Sequence, residues 1–209
     1  MRQSNIILLA SQNREKYEEF KTLFSSYPEV EITPANEYIR NLEGLKYVER
    51  HDTYLENAMA KARLVNQAAN YASLADDSGL ECAALGGKPG VRSHRYATPR
   101  PGLSQDEANT QFLIKEIGKS TRDARFVCTL VLLMEGIMLQ ATGVVEGTII
   151  DCPRGKNGFG YDPVFVPKGS NKTFAEMTAN EKNAISHRAK AVHALMNQVR
   201  THAIVFAKP

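Results

Sequence analysis

Asn5-Ile6-Ile7-Leu8-Leu9-Ala10, then Ser11-Gln12-Asn13, then Arg14-Glu15-Lys16-Tyr17-Glu18-Glu19-Phe20: this opening stretch reads as a strand, a polar turn and a helix. The apolar run has no polar alternation, as a buried strand requires, and Tyr17, Phe20, Leu23 and Phe24 fall on one helical face. A second helix opens at Thr53, where Glu56 three residues on completes a capping-box pattern, and is expected to run to about Ala72. Its apolar face is Leu55, Ala58, Met59, Ala62 and Val65. Leu74-Ala75 reads as a short strand ending on Asp76-Asp77, and Ser104 with Glu107 opens a further helix through Phe112, Leu113 and Ile117 to a stop at Gly118. Residues 125–134 and 137–145 are β-rich runs either side of Glu135-Gly136, a hairpin signature, and 147–151 continues as strand. Residues 155–167 read as a Gly/Pro-rich loop, and a last helix ends near Arg200. Strands alternating with helices, plus an inserted hairpin, predict an α/β fold with a mixed β-sheet and flanking helices.

The 209 residues are 43% hydrophobic and 23% charged, which excludes a disordered or fibrous chain and suits one domain over residues 1–209. The longest apolar stretch, residues 126–134, is far short of a bilayer span, and Thr129 interrupts it. Residues 1–10 are expected not to act as a signal peptide, their apolar part being too short. Lysine and arginine total 26 against 23 acidic residues, too small and scattered an excess for a duplex nucleic-acid face. Cys82, Cys128 and Cys152 form no CxxC pair or zinc spacing and are expected to be small buried residues of a cytoplasmic protein.

Four segments could carry chemistry. Ser11, Asn13 and Lys16 stand at a helix entry, where free N–H groups, the dipole and an ammonium suit a phosphate chain, or where Ser and Asn simply cap. Asp76-Asp77-Ser78-Gly79 places two carboxylates side by side, which suits Mg²⁺ or acid–base work, or else a solvated turn. Gly155-Lys156-Asn157-Gly158-Phe159-Gly160-Tyr161-Asp162 reads as a base-binding loop, with Phe159 and Tyr161 stacking and Asp162 meeting the base edge, or as an aromatic-anchored surface loop. In Glu181-Lys182-Asn183-Ala184-Ile185-Ser186-His187-Arg188, a helix starting after Ser186 puts His187 and Arg188 in its first turn and Lys182 on the preceding loop. Val192, Leu195, Met196 and Val199 then form its buried face, and Arg188 reads either as a ligand contact or as a solvated helix residue.

Taken in order, these segments resemble the inosine triphosphate pyrophosphatase family, the XTP/dITP diphosphatases. The matching stretches are Ser11-x-Asn13-x-x-Lys16-x-x-Glu19, Thr53-Tyr54-Leu55-Glu56-Asn57-Ala58 with Lys61-Ala62, and Ala75-Asp76-Asp77-Ser78-Gly79-Leu80. To these are added Leu85-Gly86-Gly87-x-Pro89-Gly90-Val91, Gly158-Phe159-Gly160-Tyr161-Asp162-Pro163, Thr173-Phe174-Ala175-Glu176-Met177 and the Glu181-to-Arg188 segment. The resemblance implies two lobes around a central active-site cleft, a homodimer, Mg²⁺ dependence, and hydrolysis of ITP, dITP and XTP to monophosphate and pyrophosphate. It implies that Ser11, Gln12, Asn13, Arg14, Glu15 and Lys16 hold the phosphate chain with Lys61 nearby. It further implies that Glu49 and Asp77 bind the metal, that Asp77 is the general base, and that Ser78 touches substrate. Phe159, Gly160, Tyr161, Asp162, Lys182, His187 and Arg188 form the implied nucleoside pocket.

Two stretches depart from the family pattern. Glu49 rests on counting back from Thr53 through Val48-Glu49-Arg50-His51-Asp52, with Glu43 as the alternative; and Arg92-Ser93-His94-Arg95-Tyr96 makes the rim after Val91 more basic. Three rival readings are a Maf-like pyrophosphatase acting on another base, a non-catalytic nucleotide sensor, and a single-strand nucleic-acid binder. The Ser186-His187-Arg188 segment opposes the first and the paired aspartates the second. The third wants more aromatics than this composition offers.

Overall fold

The alternation read from the sequence produces a six-stranded mixed sheet in a computed structural model that describes residues 5–99 and 101–204. Residues 1–4, part of the signal-peptide expectation, lie outside the described residues, as does the side chain of Glu43. The strands are β1 (Ile6–Leu9), β2 (Glu31–Pro34), β3 (Ala72–Cys82), β4 (Asp123–Met134), β5 (Ile137–Ile149) and β6 (Phe165–Pro167). The helices are α1 (Arg14–Phe24), α2 (Tyr54–Ala69), α3 (Gln105–Ile117), α4 (Ala179–Ile185) and α5 (His187–Thr201). Strand order is β2-β1-β3-β4-β5-β6. β1 is parallel to both neighbours, Ile7 standing opposite Ile32 and Ala72, whereas β5 and β6 are antiparallel. Glu135-Gly136 turns β4 into β5 as expected, Gly136 taking φ +72°, and the hydroxyls of Thr129 and Thr142 meet at 3.0 Å across the hairpin.

The chain divides into two compact units. The first holds residues 1–77, 128–143 and 188–209; the second holds 78–127 and 144–187. The divisions fall between Asp77 and Ser78 and between His187 and Arg188, inside two of the sequence motifs. In the first unit two cores form. Ile7, Leu9 and Leu74 pack with Phe20 and Phe24 of α1 and with Val192, Leu195, Met196 and Val199 of α5, as the periodicity of α5 requires. Leu8, Ala10 and Ala75 pack with Ala58, Ala62 and Val65 of α2. In the second unit Phe126, Phe165 and Phe174 centre a core with Leu80, Leu113, Ile117 and Tyr161.

Several boundaries differ from expectation. α2 ends at Ala69, because Asn70 takes the left-handed conformation (φ 55°) and its N–H closes on Asn66 O. Thr53 accepts from Glu56 N and its hydroxyl contacts the Glu56 carboxylate, so only one arm of that capping box is made. Leu55 is exposed, and Asn57 and Lys61 share the buried face with Ala58, Ala62 and Val65. The 155–167 loop ends in β6, and β2, short and closed by Pro34, carried too little pattern to be read. Cys82 and Cys128 are buried, but Cys152 is exposed in the turn after β5. No described helix is long and apolar enough to cross a membrane.

Candidate active site

β3 is the organising strand. It does not stop at the paired aspartates: Asp76 and Asp77 lie mid-strand, and Gly79 continues it instead of turning. Successive strand residues face opposite ways. Leu74 belongs to the α1/α5 core and Ala75 to the α2 core, so Asp76 points with Leu74 and Asp77 points with Ala75. The two carboxylates therefore make their direct contacts on opposite faces of the strand, Asp76 with Lys16 and Asp77 with Asn57.

On the α1/α5 face, Asp76 is fully buried and accepts from Lys16 Nζ at 2.7 Å. Burial pushes its carboxyl upward, but Lys16, Lys61 and Arg188 together hold it well below the usual carboxylate range. Arg188, in the first turn of α5, donates from Nη1 to Glu19 Oε2 at 2.8 Å. The sequence did not choose between a contact and a solvated role for Arg188; in the structure it is buried and belongs with Asp76 and Glu19.

On the α2 face, Asp77 Oδ2 accepts from Asn57 Nδ2 at 3.0 Å, while Oδ1 lies 3.9 Å from Lys61 Nζ. Burial dominates here and pushes its carboxyl up to about 6, against the opposing pull of Lys61 and Lys16. Lys61 also donates to Glu49 Oε1 at 2.5 Å. Burial disfavours its ammonium, but Asp76, Glu49 and Asp77 outweigh burial and raise its pKa; Glu49, despite its own burial, is lowered chiefly by Lys61.

At the entry to α1 the capping roles are made. Asn13 Oδ1 accepts from Lys16 N at 2.9 Å and Ser11 Oγ from Asn13 N at 3.2 Å, while Gln12 Nε2 donates to Leu42 O. Arg14 and Glu15 are exposed in the first turn, and Lys16 reaches inward to Asp76.

The second unit holds the aromatic group. Ser78, next along β3, is half-buried. Tyr161 does not offer its ring for stacking: it is 4% exposed within the core and its hydroxyl donates to Ser93 O at 2.9 Å. Phe159 is the half-buried ring of the pair, with Lys182 Nζ 5.2 Å from its centroid. Asp162 is buried and accepts from Lys182 Nζ at 2.6 Å and from Phe159 N at 3.0 Å, so its carboxylate shapes the loop from within. Gly158 is required because a Cβ there would stand 2.0 Å from Asp162 Oδ2. Gly160, at φ +62°, donates its N–H to Asp106 Oδ2. His187 stacks on Phe126 with centroids 4.7 Å apart and planes 8° from parallel. Lys182 lies on α4, not on a loop, because Thr178 and Glu181 form a complete capping box that starts a helix there.

With these groups placed, comparison with known proteins is decisive. The sequence model of the Ham1 family matches residues 7–198. This chain belongs to the Ham1 family. It is 42% identical over 199 residues to the dITP/XTP pyrophosphatase of Ralstonia nicotianae, covering 93% of this chain and 96% of the relative. The Bacillus subtilis dITP/XTP pyrophosphatase is 40% identical over 196 residues, covering 90% and 93%. The solved Ham1 protein of Staphylococcus aureus superposes with a TM-score of 0.80 at 36% identity, covering 94% of this chain and 99% of that one. A Ham1 protein from Coxiella burnetii gives 0.80 at 38%, covering 94% and 98%.

Within this Ham1 chain the donor set can be tested against a divalent cation. Among the described residues, no group of three or more His, Cys, Asp or Glu is placed to hold an ion. Glu49 and Asp77 are hard oxygen donors on either side of the Lys61 ammonium, itself a cation between two carboxylates. Two carboxylates are the share that Mg²⁺ takes from protein when water and phosphates fill its shell, so the residues fit that ion. Two residues escaped the sequence reading of roles: Asn57, which donates to Asp77, and, in the second unit, Asp106, which accepts from Gly160. Asn57 could have been flagged, since it stands four before Lys61 and so shares its helical face.

Proposed function

We propose that this protein hydrolyses dITP, ITP and XTP to the nucleoside monophosphate and pyrophosphate, acting on the nucleotide pool. Family membership and the printed activity of its relatives support that reaction. The observation that carries the mechanism is the asymmetry of β3: Asp76 is locked to Lys16, whereas Asp77 keeps one oxygen facing Lys61. In the reading we favour, Lys16, Lys61 and the helix entry at Ser11 to Lys16 hold the phosphate chain. Asp77 orients a water and takes its proton as the water oxygen bonds to the α-phosphorus. The bond from that phosphorus to the bridging oxygen breaks, and the pair of electrons leaves with pyrophosphate. Glu49 and Asp77 are the residues that would hold Mg²⁺, which when bound would supply charge neutralisation on the phosphates.

Base choice is assigned to Arg188, at the start of α5. Hypoxanthine and xanthine carry a 6-oxygen where adenine carries an amine; Arg188 has only donors and so favours the oxygen. A mismatched donor costs about 1–3 kcal/mol, which gives ~10- to 100-fold discrimination. The same proposal includes a cytoplasmic homodimer, checked by light scattering. The deciding experiment is pyrophosphate release from dITP, ITP, XTP and the four common triphosphates, with Mg²⁺ and with chelator. Pyrophosphate from the first three, lost with chelator, is expected; orthophosphate as the direct product defeats the assignment. Arg188→Ala is expected to collapse the ITP-to-ATP ratio of kcat/KM, and an unchanged ratio removes Arg188 from base reading.

A further inference from the structure

Asn57 is 0% exposed on the first turns of α2, and its amide is used three ways. Oδ1 accepts from His51 N at 3.0 Å; Nδ2 donates to His51 O at 3.2 Å and to Asp77 Oδ2 at 3.0 Å. Both hydrogens and one lone pair of the amide are thereby engaged. A primary amide buried this deeply is costly unless its bonds are made, so its geometry is held from three sides. Its partners lie on different parts of the first unit. One is the main chain of His51, two residues after Glu49; the other is the carboxylate of Asp77 on β3.

Resting on the activity proposed above, we infer that Asn57 is a positioning residue that selects the working oxygen of Asp77 and sets the Glu49 segment against it. Oδ2 is occupied by the amide, so Oδ1, the oxygen facing Lys61, is left for water and cation. By clasping both main-chain groups of His51, the same amide keeps the Glu49 carboxylate within reach of the Lys61 ammonium. A hydrogen-bond partner behind a ligating carboxylate typically carries 10- to 100-fold in metal affinity or activity.

The test compares wild type, Asn57→Ala and Asn57→Ser; serine keeps a hydroxyl in the pocket but is one bond too short to reach Asp77. Three readouts are taken: steady-state hydrolysis of dITP, binding of Mn²⁺ alone followed by electron paramagnetic resonance, and thermal unfolding. For both variants kcat is expected to fall about 10- to 100-fold with KM within about threefold, because the phosphate-holding residues are untouched. The Mn²⁺ dissociation constant is expected to rise about tenfold or more. If both variants lose only thermal stability, with kcat per folded molecule and Mn²⁺ affinity unchanged, Asn57 is structural and the inference is overturned. Should alanine not fold, the serine variant carries the same comparison. A wild type that releases no pyrophosphate from dITP defeats the activity reading, and the Mn²⁺ titrations still decide Asn57.

Discussion

The two faces of β3 put the same side chain to opposite uses. Toward α1 and α5, Asp76 is paired in charge: Lys16 holds one oxygen at 2.7 Å, and the cations around it overcome burial. Toward α2, Asp77 is held at one oxygen by a neutral amide, and burial wins over a lysine 3.9 Å away. A carboxylate satisfied by a contact ion pair is fixed in its charge and serves the fold. One whose charge is incompletely met retains the capacity to bind a cation or to accept a proton. The contrast lies in what faces each residue across the core.

Replacing Asp77 by asparagine should have the largest effect on chemistry. The amide keeps the shape and, in a site where burial already opposes charge, leaves stability intact. Pyrophosphate release is expected to fall at least ~10²-fold with an unchanged or higher Tm. Near-wild-type turnover in folded Asp77→Asn breaks the contrast outright.

Asp76→Asn should do the reverse. It strands a nearly buried lysine and is expected to cost about 3 kcal/mol in urea unfolding, while turnover per folded molecule falls less than in Asp77→Asn. A stable, inactive Asp76→Asn means that the two faces have been assigned the wrong way round. Further out on the same face, Glu19→Gln leaves Arg188 with a weaker acceptor at 2.8 Å and should cost about 1 kcal/mol in the same measurement.

Glu181 provides the smallest effect and a control for burial. It is exposed, and Lys172 at 2.7 Å with the Thr178 N–H lowers it to about 2. A depressed carboxylate stabilises above its ordinary value near 4.5 and loses that contribution as pH falls toward 2. Urea midpoints of wild type should therefore drop slightly more than those of Glu181→Gln between those limits; parallel curves contradict the capping role.

Local signals are legible in the sequence. The first strand-turn-helix, the Ser104 capping box and the apolar stripe of α5 need only neighbouring residues, and each stands where the pattern put it. The Thr178–Glu181 box is equally local, and it places Lys182 on α4 where the sequence reading expects a loop. What sequence could not supply was the partner across the core. Asp76-Asp77 reads as a strand end because the lysines that allow them mid-strand come from positions 16 and 61. Tyr161 looked like a stacking ring because its acceptor, the Ser93 carbonyl, is 68 positions away. The resemblance named the family and the same acidic pair, but the alternation of a strand decides which acid faces which helix.

The joint between α2 and β3 then has a meaning for changes in chain length. Only Asn70 and Tyr71 separate Ala69 from Ala72, and Asn66 grips Tyr71 O at 2.7 Å. A substitution there leaves the count of residues unaltered. An insertion or deletion of one residue slides β3 by one position, and in a strand that exchanges every side chain between faces. An insertion would bring Asp76 opposite Asn57 and leave Ala75 facing Lys16, whereas a deletion would bring Asp77 opposite Lys16 and leave Ser78 facing Asn57, so either change removes one of the two carboxylates from its partner. This short joint should therefore refuse any change in the number of its residues.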